Sequence, residues 1–236
     1  TVPQLIPNTR SYNIILLALA RGGLHEECLE TLRLMQDDST GVWPDRFTFN
    51  TVLFSYTCSD DDDAPELAED ILEEMIESSK IIVNEETNNI AEGIAPDAVS
   101  YNTVMTCWAR RSPERAQFWL NRMREDGKIT PDVYSYTIVM QAWAEAGKVD
   151  EALQLLAEMR AQPSAHVFPN KVTYTTLLKA LCSTGRVNEA FKVVDYMWEV
   201  PSEESHPDAV TFSVLLSGWA RIASSIPPEE AIHAVK

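Results

Sequence analysis

An aromatic residue recurs along the chain at a nearly constant spacing, and this period constrains the fold more than any other feature. The six aromatic residues are separated by 37, 52, 35, 38 and 38 residues, and each directly follows a serine or a threonine. We call them the ladder aromatics, and they are Tyr12, Phe49, Tyr101, Tyr136, Tyr174 and Phe212. A period of roughly 35 residues is typical of repeat proteins, whose units bury their apolar faces only by stacking on their neighbours.

Each unit contains two segments with the period of an α-helix, and the stretch Val133–Asn170 shows them most clearly. Its first segment places Tyr136, Val139 and Trp143 at spacings of three and four residues, and its second segment repeats this spacing. Gly147 lies between the segments and suits the left-handed backbone that caps a helix. We therefore predict an all-α fold, an α-solenoid of stacked helix-turn-helix repeats that forms one domain.

A Pro-Asp or Pro-Asn pair closes each unit and sets the predicted boundaries. We expect residues 1–8 to end a preceding repeat, and complete repeats to span 9–45, 46–97, 98–132, 133–170 and 171–208, followed by a truncated repeat at 209–236. The second repeat carries about three extra residues around 60–63 and about 14 within 78–95, which we interpret as loop or extended helix. The chain begins without Met and stops inside a helical pattern, so we expect it to be part of a longer protein.

The composition is acidic, but the acidity is concentrated in one repeat. The net charge is −17, and residues 60–97 contain 14 Asp or Glu and one Lys. No apolar run approaches the length that crosses a membrane, so we expect no membrane partner. Cys28, Cys58, Cys107 and Cys182 form no CxxC pair, which predicts reduced and mostly buried thiols. We find no catalytic motif and expect no cofactor and no metal site in the chain.

The order of these motifs resembles the pentatricopeptide repeat family. A Ser/Thr-aromatic dipeptide is followed by a Gly-x-x-x-Glu-Ala junction, a methionine late in the second helix, and the closing Pro-Asp or Pro-Asn pair. The junction is clearest in residues 147–152 and 185–190, so the resemblance is strongest in the fourth and fifth repeats. The tetratricopeptide repeat has a similar length but a different signature.

The resemblance implies a right-handed superhelical α-solenoid. It also implies binding of single-stranded RNA, with one base read by each repeat. In the family, the residue after the ladder aromatic and the last residue of the repeat together select the base. These residues are Asn13 with Asp45, Asn50 with Asp97, Asn102 with Asp132, Thr137 with Asn170, Thr175 with Asp208, and Ser213. An Asn amide can match the edge of a pyrimidine, whereas a shorter Thr or Ser leaves room for a purine. The implied RNA is UUUAG followed by a purine.

Two further positions carry contacts by the same resemblance. Two residues before the ladder aromatic, a side chain sandwiches the bases, and here the residues are Arg10, Phe47, Val99, Tyr134, Val172 and Val210. The family usually has valine at this position, and the other residues can stack on a base or pack in the protein. Nine residues after the aromatic, a basic residue faces phosphate, and the matches are Arg21, Arg110 and Arg221. Cys58, Glu145 and Ser183 depart from this pattern, which predicts weaker binding.

The leading hypothesis is therefore a non-catalytic RNA-binding protein that acts in organellar RNA processing, stability or translation. A mitochondrial or plastid location follows from the resemblance alone. One alternative is the RNA-targeting module of a larger enzyme whose catalytic domain lies outside this segment. Another is a protein-interaction scaffold that does not bind RNA. The acidic stretch 60–97 is either a solvated loop or a docking site for a basic protein.

Overall fold

A computed structural model describes residues 7–37, 41–59, 61–80, 93–161, 167–200 and 205–223. The described residues form eleven α-helices and no β-strand. In chain order they are α1 (Thr9–Arg21), α2 (His25–Gln36), α3 (Arg46–Thr57), α4 (Ala64–Lys80), α5 (Ala98–Ala109), α6 (Pro113–Asp126), α7 (Val133–Glu145), α8 (Val149–Ala161), α9 (Lys171–Ser183), α10 (Val187–Glu199) and α11 (Ala209–Ala223). The chain divides into two compact units, residues 1–130 and residues 131–236.

The last residue of each predicted repeat is the N-cap of the next helix. A side-chain oxygen of the cap accepts the backbone N–H of a serine or threonine three residues later, at 2.8 to 3.1 Å. The hydroxyl of that residue accepts the backbone N–H of the cap in return. Such a reciprocal capping box satisfies two donors that a helix start would leave unpaired. The caps are Asn8, Asp45, Asp97, Asp132, Asn170 and Asp208.

Short turns separate the two helices of most repeats. Gly23, Gly147 and Gly185 have positive φ angles of 72°, 74° and 79°, which only glycine adopts without strain. The turn before α6 instead uses Ser112 as an N-cap. Residues 58–63 separate α3 from α4, so this linker is longer than the three-residue turns at 22–24, 110–112, 146–148 and 184–186. The helix α4 continues to Lys80, and the rest of the predicted insertion, residues 81–92, lies outside the described residues.

Unit one is a stack of three helical hairpins. The helix α1 packs against α2 and α3, and α3 packs in turn against α4 and α5. The ladder aromatics Phe49 and Tyr101 are 2% and 1% exposed in this core, together with fully buried Met35, Met75 and Met123. The core of unit one is therefore built where helices of neighbouring repeats pack together, as the sequence period predicts.

Unit two repeats the arrangement. The helix α9 packs against α7, α10 and α11, and α7 also packs against α8. Its core contains Tyr136 and Tyr174, with Met159 and Met197 fully buried. The predicted all-α solenoid of helix-turn-helix repeats is thus confirmed in each unit.

The cysteines only partly match the expectation of buried thiols. All four are free, and Cys28 and Cys182 are buried, but Cys107 is only partly buried and Cys58 is exposed. Cys58 directly follows the last residue of α3 and begins the long linker, which explains its exposure. Burial raises the pKa of Cys107 to about 12, so this thiol stays protonated at neutral pH.

Candidate nucleic-acid interface

The two predicted base-selecting residues of the first repeat are in contact, and so are those of the second. Asn13 lies on α1, and its Nδ2 donates a hydrogen bond to Oδ1 of Asp45 at 3.2 Å. Asn50 occupies the same position on α3, and its Nδ2 donates to Oδ1 of Asp97, also at 3.2 Å. The fold therefore brings together side chains that are 32 and 47 residues apart in the sequence.

A buried hydroxyl joins each of these pairs, and the sequence analysis did not foresee its role. Oγ1 of Thr48 lies 2.7 Å from Oδ1 of Asn13, and Oγ of Ser100 lies 2.6 Å from Oδ1 of Asn50. Both hydroxyl-bearing residues are fully buried. The recurrence of Ser or Thr directly before the ladder aromatic was the available signal. Its partner was not visible, because that partner lies on the preceding repeat.

These contacts determine which atoms of the two Asn side chains remain available. The amide oxygen faces the hydroxyl and the amide nitrogen faces the carboxylate, so each amide keeps one free N–H and one free lone pair. Asn13 is 8% exposed, which limits access to the edge of the amide. Oδ2 of Asp45 and of Asp97 accepts no hydrogen bond from the described residues. Each site thus offers a donor, a neutral acceptor and a carboxylate oxygen.

The predicted pair of the third repeat is divided between the two units. Asn102 lies on α5 and is 7% exposed, and its Oδ1 has no hydrogen-bond partner among the described residues. Asp132 caps α7, where its Oδ1 accepts the backbone N–H of Ser135 at 2.9 Å. Because the two residues belong to different units, their pairing stays a prediction.

In the fourth repeat, a hydroxyl again connects the two predicted residues. Thr137 donates its hydroxyl to the backbone oxygen of Val133 at 2.7 Å, and its Oγ1 lies 3.1 Å from Oγ1 of Thr173. Oγ1 of Thr173 also lies 3.1 Å from Oδ1 of Asn170. The chain of contacts therefore runs from Thr137 through Thr173 to Asn170, and the first and last residues share no direct bond.

The fifth repeat is arranged differently, because Lys171 contacts both predicted residues. Thr175 donates its hydroxyl to the backbone oxygen of Lys171 at 2.7 Å, and Nζ of Lys171 lies 3.1 Å from Oδ2 of Asp208. The pKa of Asp208 is lowered to about 2, mainly by the backbone N–H of Thr211 and then by Lys171. Asp208 is thus a carboxylate with both oxygens engaged, unlike Asp45. Ser213, the residue predicted for the sixth repeat, is exposed on α11.

The predicted stacking residues are all exposed, at the second position of the first helix of each repeat. The five residues other than Arg10 are between 53% and 62% exposed. They are Phe47, Val99, Tyr134, Val172 and Val210. Arg10 is exposed as well. Within each unit, the apolar side chains exposed at this repeated position offer faces on which flat rings can stack.

The three predicted phosphate contacts differ in their surroundings. Arg21 ends α1 and Arg110 directly follows α5, and both are exposed. Arg221 is exposed too, but its Nη2 donates to the backbone oxygen of Cys182 at 2.7 Å. Arg221 therefore satisfies a carbonyl near the end of α9, which reduces its freedom to bind phosphate.

Comparison with known proteins identifies the family. A model described as the PPR repeat family matches residues 131–183 and 169–221, and a PPR repeat model matches residues 10–39. These matches cover about half of the chain. The chain belongs to the pentatricopeptide repeat family. No curated protein sequence matches it.

Solved pentatricopeptide repeat structures share the fold. The PPR domain of Arabidopsis thaliana protein-only RNase P 1, solved in complex with tRNA, has a TM-score of 0.64 at 16% identity, and the match covers 90% of this chain and 98% of that one. Arabidopsis thaliana nuclear protein-only RNase P 2 has a TM-score of 0.62 at 18% identity, covering 90% and 42%. Maize PPR10 has a TM-score of 0.50 at 21% identity, covering 98% and 39%. The chain thus spans less than half the length of the last two.

The acidic second repeat of this pentatricopeptide repeat protein uses several of its charges internally. Glu73 on α4 forms an ion pair with Arg122 on α6 at 2.8 Å, and Asp62 in the linker pairs with Arg111. Glu69 is buried beside Arg115. These three ion pairs join the second and third repeats, and among the three carboxylates only that of Glu69 is buried.

The described residues lack two other kinds of site. They contain no helix that is both long and apolar enough to cross a membrane. They also contain no cluster of three or more His, Cys, Asp or Glu side chains that could hold a metal ion.

Proposed function

We propose that this chain binds single-stranded RNA and reads one base with each repeat. The contact between a base-selecting Asn and the closing Asp, at 3.2 Å in both the first and the second repeat, is the observation that carries the proposal. It orients a donor and an acceptor in the same way in two successive repeats. Pentatricopeptide repeats are among the modules that read one base per helical repeat.

The chemistry of the sites favours pyrimidines at the first repeats and purines at the later ones. An Asn amide offers one N–H and one lone pair side by side, and the edge of uracil offers the complementary oxygen and N–H. Thr137 and Thr175 direct their hydroxyls to the backbone oxygens of their own helices, so they present short side chains and leave room for a larger base. We therefore propose UUUAG followed by a purine as the preferred RNA, read from the N-terminal to the C-terminal repeat.

Stacking and phosphate contacts complete the proposed complex. The exposed residues Phe47 and Tyr134 provide rings that can stack on bases, and Val99, Val172 and Val210 provide smaller apolar surfaces. Arg21 and Arg110 would contact phosphate. Because few basic residues lie at the phosphate position and the net charge is −17, we expect modest affinity and a shallow dependence on salt.

The proposed role is passive. The segment would cover an RNA site or place it for another factor, in RNA processing, stability or translation within a mitochondrion or a plastid. Any chemical step would come from a partner or from a domain outside this segment.

The test is fluorescence anisotropy with a labelled RNA that contains UUUAG and a purine, against a scrambled RNA of the same composition. We expect tighter binding to the first RNA. Replacing Thr137 and Thr175 by Asn should shift the preference at the fourth and fifth bases towards pyrimidine. Absence of binding at about 50 mM salt, with helical circular dichroism intact, would contradict the proposal.

A further inference from the structure

We propose that a buried hydroxyl is a positioning group for base selection in the first and second repeats: that of Thr48 beside Asn13, and that of Ser100 beside Asn50. It holds the neighbouring Asn amide with its oxygen towards the hydroxyl and its nitrogen towards the carboxylate. This orientation would set the pyrimidine preference of the two repeats. The inference rests on the proposed RNA readout and adds to it a residue outside the base-selecting pair.

The hydrogen-bond geometry shows where the hydroxyl proton is directed. Oγ1 of Thr48 accepts the backbone N–H of Asp45 at 3.0 Å, so its proton is free for another acceptor. The candidate acceptors are Oδ1 of Asn13 at 2.7 Å and Oδ1 of Asp45 at 2.8 Å. For Ser100 the choice is clearer, because Oδ1 of Asn50 lies at 2.6 Å and Oδ1 of Asp97 at 3.2 Å. The shorter contact in both repeats is the one to the amide oxygen.

Turning the amide so that its oxygen and nitrogen exchange places would be unfavourable at both of its contacts. The amide oxygen would then face the carboxylate, and the hydroxyl would lose its closest acceptor. The contact from the amide nitrogen to the carboxylate is 3.2 Å in each repeat, longer than the contact to the hydroxyl. The hydroxyl is therefore the tighter of the two restraints on the amide. Because Thr48 and Ser100 are fully buried, water does not compete for this bond.

The fifth repeat supplies an internal comparison. Thr211 occupies the same place in its capping box, and its Oγ1 lies 3.1 Å from Oδ1 of Asp208. The base-selecting residue there is Thr175, which has no side-chain amide and whose hydroxyl donates a hydrogen bond to the backbone oxygen of Lys171. Thr211 thus caps α11 without restraining an amide. If the two hydroxyls only cap helices, loss of either one should lower stability to a similar extent and leave the base preference unchanged. If the hydroxyl of Thr48 also positions an amide, its loss should change the base preference, whereas loss of the Thr211 hydroxyl should not.

The experiment compares Thr48→Val, Thr48→Ser and Thr211→Val in the full segment. Binding is measured with RNAs that carry uridine or adenosine at the first position of UUUAG. We expect Thr48→Val to lower the ratio of the two affinities about fivefold, the effect of losing roughly one hydrogen bond. Thr48→Ser should keep the wild-type ratio, and Thr211→Val should leave the preference at the first base unchanged. Thermal melts of the two valine variants check that both remain folded.

A second measurement needs no RNA. In NMR spectra, the side-chain NH₂ signals of Asn13 should shift or broaden in Thr48→Val and stay in place in Thr211→Val. Unchanged Asn13 signals, or a wild-type base preference that survives Thr48→Val, would overturn the inference while leaving the RNA readout in place. Wild-type protein that shows no preference at the first base would overturn both.

Discussion

Glu69 on α4 is buried beneath Arg115 on α6, and the two side chains form a two-point ion pair. Nε of Arg115 donates to Oε2 of Glu69 at 2.9 Å and Nη2 contacts Oε1, while Nε1 of Trp119 donates to Oε2 at 3.0 Å. Glu69 is 8% exposed. The pair joins the second helices of two successive repeats, so one acidic side chain in the acidic stretch stabilises the packing of unit one.

We expect Arg115→Met to destabilise the protein by about 2 kcal/mol, because it leaves a buried carboxylate without its cation. This loss of stability is smaller than the loss expected on removing one partner of a fully buried ion pair, since the side chain of Arg115 is 40% exposed. Urea denaturation measures the change in the free energy of unfolding. The double variant Glu69→Met with Arg115→Met is the control and should be less destabilised than Arg115→Met alone. Equal losses in both would show that the ion pair is not the cause.

The same pair predicts a dependence of stability on pH. Burial, the largest influence on Glu69, raises its pKa, but hydrogen bonds from Arg115 and Trp119 outweigh burial and lower it below the usual 4.5. A lowered pKa adds stability that is present above about pH 4.5 and is lost as the pH falls below it. We therefore expect unfolding temperatures of the wild type to fall below this pH. Glu69→Gln should show a smaller fall over the same range.

Asp208 provides a second titration that can be followed directly. Its pKa is lowered from 3.8 to about 2, and the backbone N–H of Thr211 contributes more than Lys171. We expect Lys171→Met to raise this pKa only part of the way to 3.8, because the backbone donor remains. NMR titration of the carboxyl carbon tests this expectation. A complete return to 3.8 would show that Lys171, not the capping bond, dominates.

Gly218 on α11 lies against Cys182 on α9, where the two helices approach closely. A Cβ added at Gly218 would lie 2.4 Å from both Cβ and Sγ of Cys182. We expect Gly218→Ala to lower the free energy of unfolding by about 1–3 kcal/mol through overpacking. Ser217→Ala is the matched control, since Ser217 is exposed on the same helix and should change stability little. An unchanged melting temperature for Gly218→Ala would argue against this close packing.

Asp45 combines two roles that substitution can separate. Its Oδ1 caps α3 by accepting the backbone N–H of Thr48 at 2.8 Å, and it also accepts the amide of Asn13. We expect Asp45→Ala to cost about 1 kcal/mol through the lost cap, whereas Asp45→Asn should keep the cap. Both variants should change the base preference at the first position of the RNA. Thermal melts and anisotropy measure the two effects, and a normal preference in Asp45→Asn would remove the carboxylate from base selection.

The sequence predicted those features that depend on local pattern and on periodicity. The ladder aromatics predicted the repeats, and the spacing of residues such as Tyr136 and Trp143 predicted two helices in each, which the described residues confirm for the first five repeats. The predicted second helix of the sixth repeat lies outside the described residues. Gly147 was correctly placed in a left-handed turn. These predictions succeeded because helical period and turn chemistry act within a few residues. The roles of the proposed base-selecting residues remain predictions, although the structure brings Asn13 to Asp45 and Asn50 to Asp97.

Only the tertiary structure decided which partners the polar side chains find. In the sequence, Thr48 is one of many hydroxyls and Glu69 is one of many acids on a helix. The fold places Thr48 against Asn13, which is 35 residues away, and Glu69 against Arg115, which is 46 residues away. Such contacts depend on how one repeat stacks on the next, and local residue preferences do not specify that geometry. The sequence by itself therefore determined the repeat and its helices, while stacking determined which polar groups are buried, paired and held in position.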